Sequence, residues 1–203
     1  MNIEILLIRH GKTKGNIEKR YVGSTDEPLA PESEELLAGL HYREFDPDIV
    51  YSSSMKRCIR TAQLLFPGKE IITSDSLRET SFGKFEYKTH AELEDDMEYR
   101  RWIESAGAIQ IPGAEDGMAF RKRCTDAFKQ CIADACARGA KKAAFAIHGG
   151  TLMAVMEALA EPVGNYYSFM VNNAEGYRAQ AQAENNSVKI INYSQVNGLL
   201  WKC

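Results

Sequence analysis

The sequence predicts an α/β fold: a three-layer α/β/α sandwich whose central sheet is mostly parallel, with an antiparallel strand near the C-terminus. Two observations predict this class. Short apolar segments alternate with segments of helical periodicity along most of the 203 residues, which favours parallel strands joined by helices on both faces of one sheet. Residues 176–183 and 187–193 then have strand character on either side of Glu184-Asn185-Asn186, a sequence typical of a hairpin turn.

The predicted strands before that hairpin are short and apolar, and polar residues follow each of them. Residues 3–8 are Ile-Glu-Ile-Leu-Leu-Ile, and similar short runs occupy residues 48–51, 71–72 and 143–147. Near-continuous apolar runs of this kind are typical of parallel strands that are buried on both faces.

The predicted helices lie between these strands, at residues 32–43, 55–66, 89–105, 115–137 and 151–160. In the first helix, Leu36, Leu37 and Leu40 are expected on one face. Ser52-Ser53-Ser54 offers N-caps to the second helix, which Pro67-Gly68 ends. The candidate buried residues of the third helix are Leu93, Met97, Trp102 and Ile103.

Composition predicts one soluble domain over residues 1–203, since 44% hydrophobic residues are enough for a sizeable core. A formal net charge of −3 gives no reason to expect a nucleic acid or a membrane as partner. The N-terminus lacks the pattern of a signal peptide, and no apolar run reaches the length of a membrane span. Five cysteines without a C-x-x-C pair favour a reduced, cytoplasmic protein. The sequence leaves open whether the protein forms a homodimer.

Arginine, histidine and glutamate side chains follow the ends of four predicted strands. Arg9-His10-Gly11 comes directly after the first strand, and Arg57 follows the second. Glu79 follows the third strand, and His148-Gly149-Gly150 follows the fourth. Because ligands bind outside the carboxyl ends of strands in open α/β sheets, we expect two arginines, two histidines and a glutamate to share one pocket.

These residue types suit the transfer of a phosphoryl group from a small phosphorylated metabolite. Arginine offers bidentate donors to phosphate oxygens and keeps its charge. An imidazole attacks phosphorus only with one ring nitrogen unprotonated, and two nearby arginines lower the pKa of His10 and so favour its neutral form. Glu79 can protonate a leaving alkoxide only if its pKa is raised. Gly11 and Gly149 let the backbone approach the phosphate and offer amide hydrogens at helix starts.

The four segments, in this order and each after a strand, resemble the histidine phosphatase superfamily, the phosphoglycerate-mutase-like group, over nearly the whole chain. The resemblance implies that His10 is the nucleophile and that Glu79 donates a proton to the leaving group. It implies that Arg9, Arg57 and His148 hold the phosphate. Further positions that it implies for the phosphate and the substrate entrance are Thr13, Asn16, Arg20, Tyr21 and Gly23. This family needs no metal or organic cofactor, so none is expected.

Three positions depart from the family pattern. Lys12 stands where an acidic residue is frequent, Ser33 stands near an expected glycine, and Tyr87 replaces the glycine of an aromatic-Glu-Gly sequence. These departures bear on the shape of the entrance. Arg60, one turn after Arg57, is expected in a surface ion pair.

Two other site chemistries are open to the same residues. Gly11-Lys12-Thr13 resembles the end of a nucleotide P-loop, but the glycine which that motif needs five positions earlier is Leu6. Two histidines and a carboxylate match a metal site, which the neighbouring arginines disfavour.

Within the family, the short segment between Glu79 and His148 favours a phosphatase, because the mutases carry a longer insertion there that shields the intermediate from water. The sequences Phe82-Gly83-Lys84-Phe85-Glu86 and Ile111-Pro112-Gly113-Ala114-Glu115 look like those of α-ribazole phosphatases of cobalamin synthesis, which act on α-ribazole 5'-phosphate. A phosphoglycerate mutase, a protein-phosphohistidine phosphatase and a catalytically inactive, protein-binding relative stay open as alternatives.

Overall fold

A seven-stranded mixed sheet forms the centre of the computed structural model, which describes residues 1–40, 45–105, 107–184 and 187–197. Its strands are β1 Asn2–Arg9, β2 Ile49–Ser53, β3 Ile71–Ser74, β4 Lys142–Ile147, β5 Ala160–Glu161, β6 Gly176–Glu184 and β7 Ser187–Val196. They lie side by side in the order β3-β2-β4-β1-β6-β7-β5. Every neighbouring pair is parallel except those that involve β6, which runs antiparallel to both β1 and β7. The predicted fold class is confirmed.

Helices connect the strands and cover the two faces of the sheet. They are α1 Lys14–Ile17, α2 Pro31–Gly39, α3 Lys56–Leu65, α4 His90–Leu93, α5 Met97–Glu104, α6 Gly117–Ala137 and α7 Gly149–Leu159. Short 3-10 turns lie at Asp75–Leu77, Gly83–Phe85 and Tyr166–Phe169. Among the described helices, none is both long and apolar enough to cross a membrane.

The alternation of side chains along β1 divides the core between two layers. Ile5 and Leu7 belong to a cluster on one face, which contains Phe128 and Ile132 of α6 and Leu152 of α7. The residues between them, on the opposite face, belong to a second cluster that includes side chains of α2 and α3: Leu6, Ile8, Leu37, Ala62 and Leu65. Since each apolar side chain of β1 is removed from water, the strand holds a fixed position in the middle of the molecule.

The predicted helix over residues 89–105 is wrong, because the segment forms two helices, α4 and α5, with a break between them. Asp96 causes the second start: its Oδ1 accepts the backbone N–H groups of Glu98 and Tyr99 at 2.8 and 3.3 Å. Because α5 starts anew at Asp96, its side chains are rotated relative to those of α4. Tyr99 is buried as a result, whereas Met97 and Ile103 face solvent, with 68% and 48% of their surface exposed. A single helical period drawn across the break therefore misplaced these two side chains.

Two details of the earlier elements also differ from the prediction. Helix α2 ends at Gly39 instead of residue 43, and Leu36 is 43% exposed while Leu37 and Leu40 are buried. Leu36 is rotated by about 100° from Leu37, so the three leucines do not share one face. The serines do not cap α3, whose N-cap is Met55.

The C-terminal hairpin forms as predicted, with Glu184 paired to Ser187. Its turn residues 185–186, the expected end of the first helix at residues 41–43, and Cys203 lie outside the described residues. The other four cysteines, Cys58, Cys124, Cys131 and Cys136, are free thiols.

Candidate active site

Strand pairing brings two histidines together at the carboxyl edge of the sheet. Arg9 of β1 lies opposite Ile147 of β4 in the parallel ladder, so the next residues of the two strands, His10 and His148, are neighbours. The backbone N–H of His10 donates to the Ile147 carbonyl at 2.9 Å. The two imidazole rings are 5.2 Å apart in an edge-to-face arrangement, and both are buried.

His10 is held in one neutral tautomer. Its Nδ1 lies 2.7 Å from the carbonyl oxygen of Gly11, and because a carbonyl only accepts, Nδ1 carries the proton and donates. Burial lowers the pKa of His10 well below its usual value, and the positive charges of Arg57 and Arg9 lower it further. Nε2 is therefore an unprotonated nitrogen with a free electron pair.

His148 is held in the opposite tautomer. Its Nδ1 accepts from Nε of Arg57 at 3.3 Å, so the ring proton lies on Nε2, which donates to the Ser53 hydroxyl at 2.8 Å. Burial is the main cause that lowers the pKa of His148 well below its usual value, with the Arg57 charge second. Cys58 packs against the ring, with its Sγ 3.4 Å from Nε2.

Arg57 lies on the first turn of α3 and is completely buried. Its two terminal nitrogens donate to the carbonyls of Thr25 and Gly23 at 2.7 and 2.8 Å, while Nε faces His148. One arginine thus joins the loop around residue 23 to the histidine pair, and it places a permanent positive charge beside both rings.

Arg9 supplies the second positive charge and has an unused donor. One terminal nitrogen donates to the Val171 carbonyl at 2.8 Å, but the buried Nε has no hydrogen-bond partner within the described residues. A buried guanidinium N–H without a partner is costly, so this atom fits an anion that accepts from it. Gly149 packs against this side chain, since a Cβ there would lie 3.3 Å from the same Nε.

Glu79 lies beside the start of α7, held by backbone donors. Its Oε2 accepts from the N–H of Gly150 at 2.9 Å, and its Oε1 accepts from Thr80 at 3.0 Å. Burial raises the pKa of Glu79, although the two N–H groups and the charges of Arg57 and Arg9 act in the opposite direction. A Cβ at Gly150 would lie 2.3 Å from Oε1 of Glu79, so a larger residue there would displace this carboxyl group.

Thr13 and Asn16 form a capping box at α1. Thr13 is buried, and its hydroxyl accepts from the Asn16 N–H at 3.2 Å. The Asn16 side-chain oxygen accepts from Asn173, whose amide also donates to the His10 carbonyl at 3.0 Å. These two predicted residues therefore adjoin the backbone of the nucleophile candidate.

Arg20 is engaged by two carboxylates and a backbone carbonyl. Its guanidinium donates to Glu18 at 2.6 Å, to Glu92 at 3.0 Å and to the Tyr87 carbonyl at 2.8 Å. These contacts tie it to the segment around α4. Tyr21 likewise bonds Tyr99, with the two hydroxyls 2.7 Å apart.

Gly23 acts through its backbone. Its carbonyl accepts from Arg57, and its N–H donates to Glu86 at 2.9 Å. A Cβ at this position would collide with the Thr80 carbonyl, so the loop can pass this close only as glycine.

Glu86 is a residue whose part the sequence analysis did not identify. Its carboxylate accepts from the N–H groups of Gly23, Thr25 and Phe82, each at 2.9 Å. It therefore fixes the loop whose carbonyls hold Arg57. The next residue, Tyr87, adopts the left-handed conformation with φ 60°, which favours glycine over other residues.

Ser53, Thr61 and Asn173 are other missed positions in the site. Thr61 accepts from the Gly11 N–H at 3.0 Å and donates to the Arg57 carbonyl at 2.7 Å, which links the two halves of the phosphate clamp candidate. Its position one helical turn after Arg57 was a usable signal. No sequence signal pointed to Asn173, since it follows an irregular segment far along the chain. Arg60 pairs with Glu34 at 2.7 Å, as predicted.

The site can bind a dianion and exchange protons with it. The positive charge comes from the guanidinium groups of Arg9 and Arg57, because burial lowers the pKa of both histidines and favours their neutral forms. Burial raises the pKa of Glu79 and so favours its neutral form as well. Among residues 1–40, 45–105, 107–184 and 187–197, no group of three or more His, Cys, Asp or Glu side chains is arranged to hold a metal ion.

Several known proteins resemble this chain in sequence or in structure. A protein from Salmonella paratyphi C that is described as a probable phosphoglycerate mutase GpmB is 28% identical over 136 residues. The match covers 64% of this chain and 63% of that relative, less than two thirds of its length.

Two solved structures cover nearly the whole chain. The α-ribazole phosphatase from Shigella flexneri has a TM-score of 0.75 at 22% identity, over 93% of this chain and 94% of its own. A mycobacterial glucosyl-3-phosphoglycerate phosphatase has a TM-score of 0.76 at 21% identity, over 96% and 97%. At these identities the likeness shows the fold. The sequence profile of the histidine phosphatase superfamily (branch 1) matches residues 5–194, and the chain therefore belongs to that family.

Proposed function

We propose that this protein is a phosphatase that hydrolyses a small-molecule phosphomonoester through a phosphohistidine intermediate on His10. The observation that carries the proposal is the fixed tautomer of His10, whose Nδ1–H donates to Gly11 and whose Nε2 keeps its electron pair. The family membership supports the same chemistry.

In the first step the Nε2 electron pair of His10 forms a bond to phosphorus, and the bond from phosphorus to the alcohol oxygen breaks. Glu79 gives its proton to that oxygen, so the alcohol leaves neutral. Arg9 and Arg57 stay charged and neutralise the phosphoryl oxygens throughout, with the unpaired Nε of Arg9 as one donor.

In the second step the Glu79 carboxylate takes a proton from water, and the water oxygen forms a bond to phosphorus. The bond from phosphorus to Nε2 breaks, its electron pair returns to His10, and inorganic phosphate leaves. His148 lies beside His10, and a bound dianion raises the pKa of both rings relative to the free enzyme.

α-Ribazole 5'-phosphate is the substrate that we propose first, on the resemblance of two loops and on the similar fold of the α-ribazole phosphatase. Phosphoglycerate mutase activity is the second candidate, because the relative that is 28% identical is described as a probable phosphoglycerate mutase.

A phosphate-release assay with chelator present tests both. The panel contains p-nitrophenyl phosphate, α-ribazole 5'-phosphate, 3-phosphoglycerate, a sugar phosphate and a phosphohistidine peptide. Phosphate release at rates that fall at least about 10⁴-fold in His10→Ala supports the proposal. Conversion of 3-phosphoglycerate to its isomer without release supports the mutase.

Trapping the intermediate gives the second readout. Brief reaction with a ³²P-labelled substrate and quenching in alkali should leave label on the wild-type chain and on His90→Ala, whose histidine is exposed on α4. The label should be absent from His10→Ala. Label on that variant, or turnover by it, contradicts the proposal, and no turnover by any form supports the inactive relative.

A further inference from the structure

Four aromatic side chains that are not fully buried lie close together beside the site: Tyr21, Phe82, Trp102 and Tyr167. We call them the aromatic wall. The ring of Tyr21 is 5.3 Å from that of Phe82 and 5.6 Å from that of Trp102. Tyr167 is 47% exposed and lies near Trp102, with Gly107 next to both side chains. A Cβ built on Gly107 would lie 2.7 Å from the Tyr167 hydroxyl and 3.6 Å from Nε1 of Trp102.

The aromatic wall reaches both sides of the candidate active site. On one side, the Phe82 ring lies 2.8 Å from the position of a Cβ on Gly23, whose carbonyl accepts from Arg57. On the other side, Tyr167 packs edge-to-face on Tyr166, with ring centroids 5.1 Å apart.

Tyr166 connects that second side to the proton donor. Its hydroxyl donates to the Gly150 carbonyl at 3.3 Å, and the N–H of Gly150 holds the Glu79 carboxyl. The wall therefore adjoins the side of the site from which a leaving alcohol would be protonated.

The cations that contact rings next to the wall are already paired with carboxylates. Lys84 lies over the Phe85 ring and bonds Asp96 and Glu98. Arg121 lies over the Tyr166 ring and bonds Glu157 at 2.7 Å. Arg20 is engaged by Glu18 and Glu92. These three cations are therefore neutralised by carboxylates of the protein. They give no reason to expect that the leaving alcohol carries a carboxylate of its own.

We propose that the aromatic wall is a subsite for an uncharged aromatic ring on the alcohol part of the substrate. Rings of tyrosine, phenylalanine and tryptophan bind another ring by edge-to-face and offset stacking as well as by removing it from water. This inference rests on the proposed phosphatase function and names the class of alcohol: one that carries an aromatic group a few bonds from the phosphate.

The test compares 3-phenylpropyl phosphate with propyl phosphate. Both release a primary alkyl alcohol, so they need the same protonation, and they differ in the ring alone. We expect kcat/KM to favour the phenylpropyl ester by about 10-fold or more. Trp102→Leu and Tyr167→Leu, made separately, should each lower that ratio by roughly 3–10-fold.

Ile103→Ala is the matched control, since Ile103 follows Trp102 on α5, is half exposed and lies outside the wall. It should keep the wild-type ratio. Tyr167 lies on a separate 3-10 turn, so its variant answers the question even if Trp102→Leu fails to fold.

Each outcome bears on one of the two proposals. Equal kcat/KM for both esters in the wild type, or ratios that neither wall variant changes, overturns the subsite and leaves the phosphatase function intact. Absence of phosphate release from both esters and from p-nitrophenyl phosphate overturns the phosphatase function itself.

Discussion

At the scale of single residues, the environments of two groups separate their protonation states. His10 is neutral because burial and two arginines lower its pKa, and Glu79 stays protonated to higher pH because burial raises its pKa. A nucleophile that must be unprotonated and an acid that must be protonated can then coexist over a range of pH.

Replacing Glu79 by glutamine should therefore affect substrates according to their leaving groups. We expect kcat for an alkyl phosphate to fall about 10²–10⁴-fold, while p-nitrophenyl phosphate, whose leaving group needs little protonation, should lose about 10-fold or less. Steady-state kinetics on the two substrates measures the difference. Equal losses would remove Glu79 from the role of acid.

The pH profile of kcat/KM for an alkyl phosphate should show the same assignment. Activity requires unprotonated His10. The acid limb of the profile that His10 causes should therefore lie well below the usual pKa range of histidine. Activity also requires protonated Glu79, so the alkaline limb lies above the usual range of a glutamate. In Glu79→Gln the alkaline limb should vanish, since an amide does not titrate. An unchanged alkaline limb in that variant would assign it to another group.

The site residues that the sequence could predict are those with a local pattern. Arg9 ends β1, the residues His10, Arg57 and His148 come shortly after strands, and the sheet order places those strand ends together. Ser53 and Glu86 could not be assigned their contacts from sequence, because a hydroxyl on His148 or a carboxylate under the loop at residue 23 depends on tertiary packing. The ion pair of Arg20 with Glu92 could not be predicted from sequence either, because it too depends on tertiary packing.

At the scale of elements, the segment over residues 89–105 shows what a periodic pattern misses. The strands and the long helix α6 were predictable because one apolar period runs through each of them. The break before α5 depends on Asp96 alone, whose carboxylate accepts two N–H groups of the new helix. A single capping residue between two short helices leaves little trace in hydrophobic periodicity.

Asp96→Ala should loosen α5 and with it the position of Trp102. Loss of the N-cap and of the Lys84 ion pair should lower Tm by about 2–4 °C. Asp95→Ala is the control, because it removes the same charge from a side chain that is 97% exposed. It should change Tm by less than about 1 °C. Differential scanning calorimetry measures both, and equal shifts would show that the cap is unimportant.

At the scale of the whole molecule, the buried histidines make folding depend on pH. Histidines of the unfolded chain titrate near 6.5, whereas His10 and His148 titrate well below that value in the folded chain. As the pH falls through 6.5 the unfolded chain binds more protons than the folded one, so stability decreases. The slope from each histidine is at most about 1.4 kcal/mol per pH unit.

Urea unfolding between pH 7.5 and 5.5 measures this slope. Glu79 acts in the opposite sense, because its raised pKa contributes stability at low pH that is lost as the pH rises through its folded value. His148→Gln should remove about half of the histidine contribution. A free energy of unfolding that does not vary over this range in the wild type and in Glu79→Gln would contradict the buried, neutral state of the two rings.

The pairing of Arg9 with Ile147 has a consequence for how such a chain tolerates changes in length. Inserting one residue within β1 would turn His10 toward the other face of the sheet and separate it from His148. Insertions in the connections that contain Trp102 would move neither ring, since those connections leave the sheet and return to it. The reacting groups are thus sensitive to single-residue insertions, while the surfaces around them can lengthen, shorten and diversify independently.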